Sequence, residues 1–297
     1  MNAECNDLRL AIDRIRARGE KRGVLPRKAE PTTQEELPSV RPIAPQRKRP
    51  TSVPTTTVHL GRLPLFMPVR RPRVAPIRSH ETGWGKVSIN GRLGQAHANL
   101  IECIWYCSSD IAQAPDGRIG AIIDPYRVRK EMAGGSYGEY SYSTLWTLLH
   151  DLMAAVVDVS IPARDIRALG HLIDSVTESP TTVRAPGGGK RSLWRVELGV
   201  VGSHLLCKDL PMRRLPLSRA NLHHALSMAV ARHVLTHRAS PPTGWWVDRL
   251  LVAVGVGEDS TSRRNRRREL HRDSGALRAI GIEIDGHRVH LRKSAPV

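Results

Sequence analysis

The sequence predicts an α+β fold, and three observations carry that reading. Apolar residues recur at helical spacing in separate blocks, with Leu145, Leu148, Leu149 and Leu152 in one and Leu222, Leu226, Val230 and Val234 in another. Short β-rich runs follow the helices of each block, around 156–161 and 169–177 in the first and 282–291 in the second. Five arginines crowd one late helix that runs straight into the last β segment.

Each element follows from a local signal. Residues 86–90 make a strand with a turn at Asn90-Gly91. Residues 97–108 make a helix with Leu100, Ile101, Ile104 and Trp105 on one face. A short strand over 117–123 leads to Asp124-Pro125, a good helix start because proline is tolerated in the first turn. That helix runs to Met132 and ends at Gly134-Gly135. The leucine stripe makes the next helix over 142–155. Residues 169–177 and 192–200 then read as paired strands around the glycine loop at 187–189.

A connector at 203–216 opens the second block. One long helix is expected over 217–236, and Pro241-Pro242 breaks the chain. A second helix spans 245–254. In the third, Ser260 or Ser262 can cap, Leu270, Leu277 and Ile280 form a thin apolar stripe, and Gly281 can stop the helix. Ile282, Ile284, Val289 and Leu291 flank Asp285-Gly286, a dipeptide that favours a type I′ hairpin turn. Helices followed at once by a β-hairpin are the layout of a winged helix. Its last helix suits the DNA major groove, and its hairpin suits the adjacent backbone. The expected architecture is two tandem winged-helix domains, 85–205 and 206–297. They follow a basic, Pro-rich, largely disordered arm at 1–84, with a short amphipathic helix over 3–22.

Charge points to the partner. The 297 residues carry a net +18, and the pI is near 10.8. Residues 1–78 hold 17 Lys or Arg against 7 acids, and residues 260–297 hold 10 against 4, so the excess sits at the two ends. Solubility alone does not require such clustering; a polyanion does. Four cysteines form no dense framework, which fits a reducing cytoplasm. No apolar run is long enough for a membrane span or a secretion signal.

The residues exclude most chemistry. Gly187-Gly188-Gly189-Lys190-Arg191-Ser192 lacks the upstream glycine of a phosphate loop. Cys103, Cys107, His204 and Cys207 match no zinc spacing, and His233 and His237 lack the intervening Glu of a metalloprotease helix. A nicking enzyme would need a tyrosine beside two histidines separated by one residue. His287 and His290 are separated by two, and Tyr137, Tyr140 and Tyr142 have no such partner. The expectation is no catalytic residue, metal or cofactor. Trp245-Trp246 reads as packing at a helix start rather than as a base-stacking pair.

The chain resembles the TrfA-like plasmid replication initiators over about residues 85–292. The likeness rests on Ile89-Asn90-Gly91-Arg92-Leu93-Gly94-Gln95 leading to Ile104-Trp105, and on Thr236-His237-Arg238. It also rests on Ser260-Thr261 through Arg266, Leu270, Leu277 and Gly281. Ser274-Gly275 departs from the family's stronger final helix. The resemblance implies binding to double-stranded origin repeats and opening of nearby duplex. It also implies recruitment of host replication proteins, the initiator ATPase and the helicase among them; a homodimer is compatible with it. Arg62-Leu63-Pro64-Leu65-Phe66 resembles the Gln-Leu-x-Leu-Phe peptide that holds the bacterial sliding clamp, with Arg62 in place of Gln. Leu63, Leu65 and Phe66 would be the partner-binding anchor; packing on the first domain is the competing reading.

The expected DNA contacts follow from the helix faces. In the second domain they are Arg264, Arg267, Arg268 and His271 toward the groove, Arg263 and Arg266 nearer the backbone, and Arg288 on the wing. In the first they are Tyr142, Ser143, Thr144 and Thr147 at the helix start, with Trp146 and His150 further along. Arg127, Arg129 and Lys130, with Arg184, Lys190 and Arg191 on the wing, would anchor phosphates. A winged-helix transcriptional repressor and an RNA-binding basic protein are the rival readings. The second would more often carry stacking aromatics on a sheet.

Overall fold

The structure is a computed structural model that describes residues 56–73, 77–113, 118–134, 140–185, 188–207, 211–212, 215–257 and 260–292. The helix expected over 3–22 and most of the basic arm lie outside these residues. The rest of that arm is structured, which corrects the boundary at 84. β1 (Thr56–Thr57) pairs with Pro211–Met212 and leads into α1 (Val58–Arg62). Thr57 caps α1, its hydroxyl accepting from the Leu60 amide, and it donates to the Leu205 carbonyl at 3.0 Å. Leu63, Leu65 and Phe66 are 3%, 0% and 6% exposed and belong to the first hydrophobic core. Gln95 donates to the Phe66 and Met67 carbonyls, and Arg78 donates to the Leu65 carbonyl at 3.1 Å. A clamp peptide must be extended and accessible. This segment is not accessible, because its apolar side chains are buried against the first domain.

β2 (Ile77–Thr82) and β3 (Gly85–Asn90) form a hairpin. Then comes the first winged helix: α2 (Gln95–Cys107), β4 (Asp110–Gln113), β5 (Ile119–Ile123), α3 (Pro125–Met132) and α4 (Tyr142–Ala154). Asp124 caps α3 by accepting from the Tyr126 amide at 3.0 Å, with Pro125 in the first turn as its sequence requires. Leu145, Leu148, Leu149 and Leu152 are fully buried, the stripe their spacing dictates.

Between α4 and the wing the chain inserts β6 (Val156–Ile161) and β7 (Ile166–Gly170). These strands extend the first hairpin into a four-stranded sheet of order β2-β3-β6-β7. Val87, Ile89, Val157, Val159 and Ile161 alternate inward and are fully buried. The wing itself is β8 (Ile173–Arg184) against β9 (Lys190–Leu198), in a second sheet of order β4-β5-β9-β8. Leu169 therefore belongs to the inserted sheet. The pairing expected for 169–177 begins only at Ile173, which faces Leu198.

α5 (Val200–Cys207) and β10 (Pro211–Met212) lead to the second core, which runs from Leu217 to Val289. The helix expected over 217–236 is split. Asn221 adopts a left-handed conformation, so a 3-10 turn (Leu217–Ala220) precedes α6 (Ala225–Val234). Trp245–Trp246 form β11 rather than the start of a helix, because they pair with Val289 and Arg288 of the wing. α7 (Val247–Ala253) follows, then α8 (Ser260–Arg272) and α9 (Ser274–Ala279). The break at Asp273 has a cause: its buried carboxylate accepts from the His223 and His224 amides at the start of α6.

β12 (Ile282–Asp285) and β13 (Arg288–Leu291) make the second wing. Asp285 pairs with Arg288, so the two turn residues are Gly286 and His287. Only Gly286 has positive φ, at 53°. That is the type II′ pattern, glycine first, in place of the type I′ turn expected from Asp285-Gly286.

The two cores meet at a polar seam. Arg232 of α6 is 4% exposed; its Nε donates to Glu102 at 3.1 Å and its other nitrogens bond Gln95 and Asn99 of α2. Glu102 accepts in addition from the Leu217 amide at 3.1 Å. Arg219 pairs with Glu131 of α3. α1 closes the seam from the other side, with Arg62 donating to the Thr236 hydroxyl at 2.8 Å and to its carbonyl at 3.0 Å. Gly61 is required there: a Cβ would lie 2.4 Å from the Thr236 methyl and 2.9 Å from the Arg232 carbonyl oxygen.

Candidate nucleic-acid interface

α8 occupies the recognition position of the second winged helix, between α7 and the hairpin. Leu270 is fully buried and fixes which face of α8 turns outward; Leu277, also fully buried, lies on α9. The five arginines then separate into two kinds. Arg264 and Arg268, one turn apart, are exposed and carry no ion pair among the described residues. His271 and Arg272 continue that exposed face. Arg267 instead grips Asp248 of α7 with both ends of its guanidinium, Nε at 2.7 Å. The hydrogen bond lowers the Asp248 carboxyl and raises the guanidinium from their ordinary pKa values. Arg266 pairs with Glu269 at 2.8 Å, and Arg263 donates to the Gly257 carbonyl at 3.4 Å. Arg267, expected to face the groove freely, is thus tied to the body of the domain.

On the wing, the Arg288 guanidinium lies 3.4 Å from the centre of the Trp246 ring, and Trp246 is 45% exposed. His287 stands exposed at the turn. Trp246, read from the sequence as packing at a helix start, and Arg272, not singled out there, are both exposed. The signal available for Trp246 was the wing pattern, which needs a third strand beside its hairpin.

α4 holds the same position in the first winged helix. Ser141 caps it, accepting from the Thr144 amide at 3.1 Å. Its far end is pinned by Asp151, which accepts from Arg92 at 2.5 Å and lies 3.3 Å from His97 Nε2. The Gly94 amide donates to His97 Nδ1, so Nε2 carries the proton toward Asp151. Burial, more than anything else around it, lowers the His97 pKa. Tyr142, Ser143, Trp146, Thr147 and His150 are exposed, and Thr144 is half-buried. Trp146 meets Trp194 of the wing edge-on, centroids 5.4 Å apart.

The cations around α4 also divide. Arg127 and Lys130 are exposed on α3, and Arg184 faces Lys190 across the wing tip, both exposed. Arg129 lies over the Tyr142 ring at 4.8 Å. Arg191 is bound to the Asp124 carboxylate, Nε at 3.0 Å, and packs over Tyr126 at 4.8 Å, so it braces the helix cap instead of standing free for a phosphate. The hydrogen bond to Asp124 raises its pKa.

Among the described residues, no cluster of His, Cys, Asp and Glu could hold a metal ion, and no helix is long and apolar enough to cross a membrane. No family model matches the chain, and no curated protein matches it in sequence. The fold is similar to the crystal structure of domains 2 and 3 of RctB. The TM-score is 0.52 at 8% identity, covering 80% of this chain and 99% of that one. A second crystal structure of RctB domains 2-3 gives a TM-score of 0.42 at 10% identity, over 77% of this chain and 84% of that one. At this identity the likeness is one of fold.

Proposed function

We propose that the chain is a sequence-specific duplex-DNA-binding protein that initiates replication of a plasmid-like element. It grips repeated origin sequences and recruits host replication proteins. The observation that carries the DNA reading is the exposed pair Arg264 and Arg268, free of ion pairs among the described residues, on the helix that leads through α9 into a wing. An unneutralised pair of guanidiniums one turn apart suits guanine O6 and N7 or flanking phosphates. A recognition helix in each half, joined through a buried polar seam, supports a two-part site. The initiator role rests on the resemblance to TrfA-like proteins.

Two experiments test the halves separately. The purified chain is offered a random duplex pool, and the bound fraction is amplified and re-selected. A converging consensus supports sequence-specific binding, and none would contradict it. The gene with its upstream DNA is then placed on a marked circle without any other origin. Maintenance of the marker supports initiation. Specific binding without maintenance would leave a transcriptional regulator as the reading.

A further inference from the structure

We infer that the first winged helix recognises thymine through the 5-methyl groups that line the major groove, with Trp146 and Tyr142 as the specificity-determining side chains. This rests on the duplex-DNA reading above and names what one half of the site contains.

The exposed face of α4 is chemically unlike that of α8. Between Tyr142 and His150 it carries no Arg, Lys, Asp or Glu. Tyr142 and Trp146 are 43% and 47% exposed and lie one turn apart, so their rings share that face. The hydroxyls beside them are committed locally. Ser141 accepts from the Thr144 amide, Ser141 and Ser143 share a 2.7 Å bond, and Thr147 donates to the Ser143 carbonyl at 2.9 Å. What remains for a base edge is the Tyr142 hydroxyl, the Trp146 N–H and the His150 ring, each at the rim of an aromatic side chain. The face presents rings and apolar surface, whose complement in the groove is the thymine methyl.

Both rings are braced. Trp194 holds Trp146 edge-on at 5.4 Å, and the Arg129 guanidinium sits over Tyr142 at 4.8 Å. Tyr and Trp side chains are enriched at interaction surfaces. Charge selects which partner. Arg127, Arg184 and Lys190 are exposed on the flanking helix and wing. A polyanion satisfies that rim, and an apolar protein face does not. The second winged helix, with Arg264 and Arg268 exposed, carries the opposite chemistry and suits guanine. The full site then has a thymine-containing part and a guanine-containing part.

The test uses the full chain and the duplex selected from the random pool. Thymines are replaced one at a time by uracil, which keeps the pairing and removes only the methyl. In one block of the site each replacement lowers affinity about fourfold, the worth of one buried methyl-sized group. In Trp146→Ala the same replacements have no effect. Tyr142→Ala, one turn away, serves as the second variant should Trp146→Ala fold poorly. A consensus whose affinity ignores uracil everywhere overturns the inference and leaves DNA binding standing. So does methyl dependence that survives both variants, or tighter binding to the single strand than to the duplex. A pool that never converges overturns the DNA reading, and the inference with it.

Discussion

Arg232 and Glu102 face each other across the boundary between the two winged helices, Nε to Oε1 at 3.1 Å, with side chains 5% and 3% exposed. The pair sits among Gln95 and Asn99, which also accept from Arg232. A buried guanidinium so fully bonded locks orientation more than it adds stability, because both ions have left water. Removing one partner is a different matter. Arg232→Met strands the Glu102 carboxylate in the seam and is expected to cost about 3–5 kcal/mol. Urea unfolding measures this. The double variant Arg232→Met, Glu102→Gln should recover part of the loss, whereas unchanged midpoints in the single variant would place the seam elsewhere.

Leu65→Ala or Phe66→Ala should each destabilise the chain by about 2–5 kcal/mol, the range for emptying a packed core site. Both side chains are buried, at 0% and 6% exposure. Thermal unfolding in the two variants checks it. Unchanged melting with lost clamp binding would restore the peptide reading that their burial argues against.

The arginines of α8 should separate in the same assays. Arg264→Ala and Arg268→Ala remove exposed cations and are expected to lower DNA affinity by about 1–3 kcal/mol if they read bases, with melting unchanged. Arg267→Ala removes a partly exposed ion pair with Asp248 and should also lower stability, by no more than about 1 kcal/mol. It leaves the Asp248 carboxylate unpaired near the proposed DNA face. Equal behaviour of all three would mean that the Arg267–Asp248 pair has no role.

Acid should loosen the seam. His233 and His237 lie 5.4 Å apart, near Arg62 and Trp245, and burial holds both pKa values at about 4 rather than the ordinary 6.5. The unfolded chain binds more protons between those values. The stability contribution is therefore full above pH 6.5 and is lost as pH falls from 6.5 toward 4. His97, also lowered by burial, adds in the same sense. Melting temperature followed over this range should fall, and fall less in a His233→Gln, His237→Gln variant. An equal fall in both would assign the effect to other groups.

Much of the fold was legible because it follows from local rules. The α4 stripe, the Asp124-Pro125 start and the two wings come from periodicity, capping and turn residues. What escaped depends on distant partners. Nothing near Trp245-Trp246 says that it pairs with Val289 and Arg288, and nothing near Asp273 says that its carboxylate will cap α6. The sequence left the Leu63–Phe66 segment open between a partner-binding peptide and packing on the first domain, because its pocket is made by residues farther along the chain. The arginine cluster was legible as a cluster, but Asp248 lies 19 residues before Arg267, so sequence could not sort the bonded arginine from the exposed ones.

Binding of the full chain to its selected duplex as a function of salt tests the central claim most directly. Several phosphate contacts from α8 and the two wings should make affinity fall ~10³-fold or more between 50 and 200 mM salt. The slope should be shallower by about one in Arg268→Ala if that residue holds a phosphate, with duplex preferred to RNA throughout. Tight binding that ignores salt, or binding to RNA alone, would contradict the account.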